Sequence, residues 1–251
     1  MSHSTEHSVN KVAQVNFAFW IMKICATTVG ETGGDLLSMT LDIGYAASSI
    51  LLVSCFIALL IFQLRSKAFH PALYWGVIVA TSTAGTTISD FIDRSLGLGY
   101  AIGSAILVSL LVSILAVWRW KLGSLSVDHI SDRRAEIFYW FAILISNTLG
   151  TALGDFLADT SGLGYLGSNL LISSGIFLVV LGWRFTAIPK TALFWAAFVL
   201  TRPFGATMGD LLTKNADKGG LGFGTWGSTA VLSAILIASI AWTTRRDRAR
   251  A

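Results

Sequence analysis

Four stretches of this chain set carboxylates and hydroxyls into apolar sequence: "TTVGETGGDLL" (27–37), "STAGTTISDFI" (82–92), "NTLGTALGDFL" (147–157) and "RPFGATMGDLL" (202–212). They align on Asp35, Asp90, Asp155 and Asp210. On a helix, positions i, i+3 and i+7 share a face. Thr28, Glu31 and Asp35 form such a stripe, as do Thr83, Thr86 and Asp90, and Thr148, Thr151 and Asp155. Asn147 adds an amide oxygen. Donors of this kind suit hard cations such as Mg²⁺, Ca²⁺, Mn²⁺, Na⁺ or H⁺. The candidate cation-binding and proton-coupling residues are therefore Asp35, Asp90, Asp155, Asp210 and Glu31, which are also the candidate metal ligands. Thr28, Thr83, Thr86, Asn147, Thr148 and Thr151 would support them. The fourth stretch departs, with Pro203 and Ala206 in place of hydroxyls and Arg202 where the others have Thr27, Ser82 and Asn147. Arg202 and Lys23 are expected to balance charge, Arg202 by pairing with Asp210 or an aspartate of a neighbouring repeat, because an unpaired charge within a bilayer is costly.

Other chemistries lack their residues. Cys25 and Cys55 lie in apolar runs and offer neither a disulfide framework nor metal-ligand spacing. His3, His7, His70 and His129 fall outside the apolar segments, and "SHSTEH" near the start reads as a tail. No P-loop, H-E-x-x-H or G-x-S-x-G occurs. No nucleophile–base pair is evident, so an enzyme is not expected, nor a cofactor; a divalent cation would be a substrate.

The elements that must position these residues are repeated. Five residues before each aspartate lies Gly30, Gly85, Gly150 or Gly205, and immediately before it Gly34, Ser89, Gly154 or Gly209. Fifteen residues before it lies Trp20, Trp75, Trp140 or Trp195. Nine and ten residues after the first three come Gly44-Tyr45, Gly99-Tyr100 and Gly164-Tyr165. The chain is four copies of one unit. The small-xxx-small pairs let helices approach closely in membranes. Each unit holds two apolar segments, roughly 16–37, 71–92, 136–157 and 191–212, then 45–63, 100–118, 165–183 and 224–242. Each approaches the ~20 residues a helix needs to cross a bilayer, and such long runs exclude the short alternating strands of a β-barrel. With 54% hydrophobic and 13% charged residues among 251, the expectation is an all-α integral membrane protein. Its eight transmembrane helices would come from four two-helix repeats, pseudo-symmetric about the membrane normal.

Thirteen Lys and Arg lie at the termini or between repeats, against Arg94, Lys214 and Lys218 in the loops inside them. The positive-inside rule then puts both termini in the cytoplasm. The aspartates are spaced 55, 65 and 55 residues apart, and the long gap carries "KLGSLSVDHISDRRAE". This gives a cytoplasmic tail over 1–15, a first four-helix half over 16–121, a linker over 122–135, a second half over 136–244 and a basic tail over 245–251.

The recurrence of the tryptophan with Gly-x-x-x-small-Asp over residues 12–246 resembles a bacterial membrane family of four tandem two-span repeats. That family is known as a repeat of unknown function and described as membrane-anchored. The resemblance implies the architecture and a multi-pass place in the bacterial inner membrane, and no activity. From the residues, the leading expectation is a secondary transporter of a small hard cation, a divalent metal ion first, with proton coupling as an option. The alternatives are a proton-coupled carrier of an organic or anionic solute, or a non-transporting scaffold. In a scaffold the aspartates would cap helix ends or pair internally, since an aspartate 19 residues into a span lies ~28 Å along it. Expected partners are the lipid bilayer, a small cation and, as an option, a second copy of the chain in a homo-oligomer. Nucleic acid is not expected.

Overall fold

Each repeat folds as two long helices joined by a short glycine turn. The computed structural model describes residues 11–127, 130 and 132–248. In chain order the long helices are α1 (Phe17–Asp35), α2 (Tyr45–Arg65), α3 (Pro71–Asp90), α4 (Gly99–Leu122), α5 (Arg133–Asp155), α6 (Gly164–Phe185), α7 (Lys190–Thr213) and α8 (Thr225–Arg248). No strand occurs among the described residues. The Asn16 side chain caps α1 by accepting from the Phe19 amide at 2.9 Å, and Pro71 opens α3, where a missing N–H costs nothing. After Asp35, Asp90 and Asp155 the backbone widens into one π turn, Leu36–Thr40, Phe91–Ser95 and Phe156–Thr160. The repeated glycines Gly44, Gly99 and Gly164 then reverse the chain with positive φ, which a side chain would strain. The fourth repeat instead carries α7 to Thr213 and ends in a short 3₁₀ turn, Ala216–Lys218.

The odd-numbered helices form a closed ring, α1 against α3, α3 against α5, α5 against α7 and α7 against α1. The even-numbered helices lie outside, α2 on α3, α4 on α5, α6 on α7 and α8 back on α1. Each outer helix thus packs on the inner helix of the next repeat. Among the described residues, five helical stretches are long and apolar enough to cross a membrane: the four outer ones and Arg133–Thr160. Exposed Ile50, Leu51, Phe62, Phe177, Leu178 and Ile237 stud the outer helices. These features mark a membrane protein. The inner helices α1, α3 and α7 fall short of that apolarity because they carry the polar residues, which the ring and its outer layer enclose.

The same inner contact recurs around the ring. A side chain on Gly30 would collide with Ser82, on Gly85 with the Thr148 backbone nitrogen at 2.9 Å, on Gly150 with Arg202, and on Gly205 with Thr27. One turn further on, Gly34 faces Thr86, Gly154 faces Ala206 and Gly209 faces Glu31. The repeated tryptophans do similar work at the other end. Trp75 meets Phe19 at 5.7 Å, Trp140 meets Tyr74 at 5.5 Å, Trp195 meets Tyr139 at 6.4 Å and Trp20 meets Phe194 at 5.8 Å between ring centroids. Such edge and tilted pairs each add about 0.5–1.5 kcal/mol beyond burial.

The described residues of the segments expected as tail and linker pack against this aromatic end. Val12, Val127 and Ile130 are buried, the Lys11 amide donates to the Ile130 carbonyl at 3.3 Å, and the Trp195 indole donates to the Leu125 carbonyl at 3.1 Å. Lys11 pairs with the fully buried Glu136 at 2.5 Å. Gln63 bonds both the Lys11 carbonyl and Glu136 at 3.1 Å. The "SHSTEH" tail, His129 and the last three residues lie outside the described residues.

Candidate cation site

Counting back from each aspartate in steps of four gives the layers that line the ring interior. The aspartate layer is outermost: Asp35, Asp90, Asp155 and Asp210 are each no more than 5% exposed. Next come Glu31, Thr86, Thr151 and Ala206, then Thr27, Ser82, Asn147 and Arg202, then Lys23, Ile78, Ile143 and Phe198. All but the innermost layer, Lys23, Ile78, Ile143 and Phe198, belong to the four polar stretches of the sequence, and the ring buries every one of them.

Two basic side chains hold the aspartates in pairs. Lys214 lies 2.6 Å from Asp35 Oδ2 and 3.1 Å from Asp210 Oδ1. Arg94 lies 3.1 Å from Asp90 Oδ1 and 3.2 Å from Asp155 Oδ2, and also donates to the Tyr100 hydroxyl at 3.0 Å and the Tyr45 hydroxyl at 3.2 Å. Burial pushes the Lys214 ammonium towards its neutral form. The Asp210 and Asp35 carboxylates outweigh that and hold it protonated well above the usual lysine range.

Below them Glu31 and Arg202 close the axis. Arg202 Nη1 lies 3.0 Å from Glu31 Oε2. Its Nη2 donates to Thr86 Oγ1 at 2.6 Å, Thr151 Oγ1 at 2.7 Å and the Ser82 carbonyl at 3.2 Å. Thr86 and Thr151 in turn donate to Glu31 Oε2, each at 3.3 Å. Arg202 therefore pairs with Glu31, not with Asp210 or another aspartate. The reason is geometric: Arg202 lies two helical turns, ~12 Å, below Asp210 on the same helix, while Glu31 stands one layer above it on α1 and its carboxylate reaches the guanidinium. Gly150, which has no side chain to obstruct it, lets the Arg202 stem cross the ring.

Glu31, Asp35 and Asp210 each bring one oxygen within 4.8 Å of the others. This is the arrangement a cation would use. Asp90 and Asp155 form the second pair across the ring, and neither Asp90 oxygen has a hydrogen-bond donor beyond the Arg94 ion pair.

Other expected residues lie apart from this cluster. Thr28, Thr83 and Thr148 turn their hydroxyls onto their own helices, donating to the carbonyls of Ile24 at 2.9 Å, Val79 at 2.8 Å and Leu144 at 3.0 Å. Among the described residues Lys23 balances no carboxylate: its ammonium meets Asn147 Oδ1 at 3.4 Å and the Phe198 ring at 4.1 Å. Its layer is otherwise apolar, too deep for the aspartates to reach. Asn147 also donates to Thr81 at 2.9 Å, which fixes its oxygen toward Lys23. Sequence reasoning missed Arg94 and Lys214 as aspartate partners. Both stand four residues after a repeated aspartate, the spacing of a helical ion pair. It also missed Phe19, Tyr74, Tyr139 and Phe194, the aromatics immediately before each tryptophan.

A family model described as Repeat of Unknown Function matches the chain four times, at residues 18–69, 73–122, 138–188 and 193–249. No curated protein and no solved structure matches it.

Proposed function

The chain belongs to the Repeat of Unknown Function family, and from that premise we propose that it is a secondary transporter of a small hard cation, a divalent metal ion first, and not an enzyme. The observation that carries this reading is the gathering of Glu31, Asp35 and Asp210, all buried and within 4.8 Å of one another. Five buried carboxylates in this region face three cations, Arg94, Arg202 and Lys214. Five negative charges less three positive ones leave a deficit of two. Charge left unbalanced in a bilayer is expensive, and a divalent ion offsets more of it than a monovalent one. Asp90 and Asp155 share one guanidinium, which gives a proton a natural place in the cycle.

The proposed setting is the bacterial inner membrane. All eight helices would span it, around a pseudo-symmetry axis along the membrane normal, with both termini cytoplasmic and the aspartates at the outer end. The ring helices can cross despite their polarity, because polar residues inside membranes are tolerated where they face protein.

The test is flux into proteoliposomes across a panel of Mn²⁺, Mg²⁺, Ca²⁺ and Na⁺, with and without a pH gradient. Transport of a divalent ion, lost in folded Asp35→Asn and Asp210→Asn variants, is expected. Normal flux in both variants would sink the cation-site reading. One observation favours a second reading, a non-transporting scaffold: every carboxylate of the cluster already contacts an internal cation or a hydroxyl that an internal cation holds. Absence of flux for any ion, with Asp→Asn variants that merely lose stability, would favour the scaffold.

A further inference from the structure

The two bridging cations are not equivalent. Arg94 spends all three guanidinium nitrogens, on Asp90, Asp155, Tyr100 and Tyr45. Among the described residues the Lys214 ammonium touches only the two carboxylates and, at 4.0 Å, the Met39 sulfur. Arginine is a planar fork fixed by several partners, whereas lysine is a point charge on a flexible stem. Lys214 sits at the end of α7 with its side chain 22% exposed, so its ammonium can swing to water without a backbone change. The loop behind it is anchored: the Leu221, Gly222 and Phe223 amides donate back to the carbonyls of Leu211, Lys214 and Leu212 at 2.7–2.9 Å.

The ammonium stands on two of the three carboxylates that converge as the candidate cation site. We propose that Lys214 is a tethered competitor: its ammonium fills the Glu31/Asp35/Asp210 site when no ion is bound and leaves when a divalent cation enters, while Arg94 stays as a fixed clamp. The inference rests on the transporter reading of that site. Local charge fixes the class of ion. Three carboxylates with Arg202 carry a net charge of −2 once Lys214 has left. A divalent cation restores neutrality, and a monovalent one leaves −1. Lys214 in place also leaves −1, so the exchange of ammonium for a divalent ion improves the balance. The lysine keeps the empty site from standing as a bare cluster of negative charge, and it sets a threshold that a weakly bound ion does not pass.

The experiment uses the full chain in nanodiscs with Mn²⁺ as probe, binding being read by electron paramagnetic resonance. Lys214→Gln is expected to bind Mn²⁺ about 10-fold tighter than the unmodified protein, since tenfold corresponds to loss of one modest competing contact. Lys214→Arg, which keeps the charge and gains a fork, and Arg94→Gln are expected to show no gain. Equal affinity in Lys214→Gln and the unmodified protein would overturn the competitor and leave the site standing. An equal gain in Arg94→Gln would overturn the division between the two cations. No Mn²⁺ bound by either folded protein would sink the site and the competitor together. A second measurement does not depend on the variants folding. Amine-reactive labelling of Lys214 in the unmodified protein, read by mass spectrometry, should rise as Mn²⁺ is added, and labelling that stays flat at saturating Mn²⁺ would overturn the proposal.

Discussion

At the scale of single residues, Arg202 and Lys23 are two buried cations with opposite accounts. Arg202 is fully buried with Glu31, Thr86, Thr151 and a carbonyl around its guanidinium. Removing one member of a buried pair strands the other charge, at about 3–5 kcal/mol. Arg202→Ala should therefore lower thermal stability in detergent by about that much, and adding Glu31→Gln should recover part of it. Strict additivity of the two losses in a double-mutant cycle would reject the pair. Among the described residues Lys23 meets no carboxylate, only an amide oxygen and a phenyl ring. Lys23→Met keeps the stem and removes the charge, so the melting temperature should hold or rise; a fall comparable to that of Arg202→Ala would mean that Lys23 has a partner as strong as Glu31. The sequence made both residues visible, because a basic side chain in an apolar helix stands out. It did not make their partners visible. Which side chain meets Arg202 depends on the order of helices around the ring and on their vertical offset, and neither is written in one repeat. Arg94 and Lys214 were legible in principle through their four-residue spacing from Asp90 and Asp210, but as loop residues they read as topology signals.

At the scale of elements, the helix pairs, their lengths and the repeated glycines were legible because the unit recurs four times. The ring order was not, since small-xxx-small says that helices approach without saying which. The close contacts now separate glycines that look alike in sequence. Gly85 lies under the backbone of α5, whose Thr148 nitrogen a methyl would approach to 2.9 Å. Backbone cannot step aside, and overpacking of this kind costs about 1–3 kcal/mol. Gly33, in the middle of the first motif, would meet only Thr229 and Thr83 methyls at 3.8 Å, an ordinary contact. Gly85→Ala should lower the melting temperature markedly. Gly33→Ala should be neutral or stabilising, because alanine favours a helix interior by ~1 kcal/mol over glycine. Equal effects from the two would mean that α3 and α5 do not pack as described. Of the hydroxyl stripes, Thr86 and Thr151 meet Glu31 and Arg202, while the other three hydroxyls turn away for a related reason. Thr28, Thr83 and Thr148 share a helical face with the aspartates, yet a threonine in a helix can satisfy itself on the carbonyl one turn back, and all three do.

At the scale of the whole molecule, polarity is distributed along the ring axis in a way that bears on its orientation. One end carries the aspartates under Arg94 and Lys214. The other carries the aromatic layer, covered by residues 11–15 and the segment around Val127, with the Lys11–Glu136 ion pair sealed among them. A cavity of about 320 Å³ lies at this second end, between Val127, Trp183, Lys190 and Phe194. Most basic residues gather there too: Arg65, Lys67, Arg119, Lys121, Arg133, Arg134, Arg184 and Lys190 all lie between repeats. The positive-inside rule would make that end cytoplasmic, and the loops following the aspartates would then face outward, the orientation proposed above. The outer loops carry few basic residues, and two of those, Arg94 and Lys214, are engaged with carboxylates. The asymmetry in free positive charge is therefore sharper than a count of residues suggests. Single cysteines test it, after Cys25 and Cys55 are replaced so that neither the buried nor the exposed native thiol reports. Cysteines at 42 and 159, in the turns after the first and third aspartates, should react with a membrane-impermeant maleimide added outside intact cells. A cysteine at Ser124 should react only once the membrane is opened. The reverse pattern would turn the molecule over and put the carboxylate cluster on the cytoplasmic side. Labelling of 42 and 159 from opposite sides would break the two-span unit itself, since an even number of crossings per repeat must return every such turn to the same face.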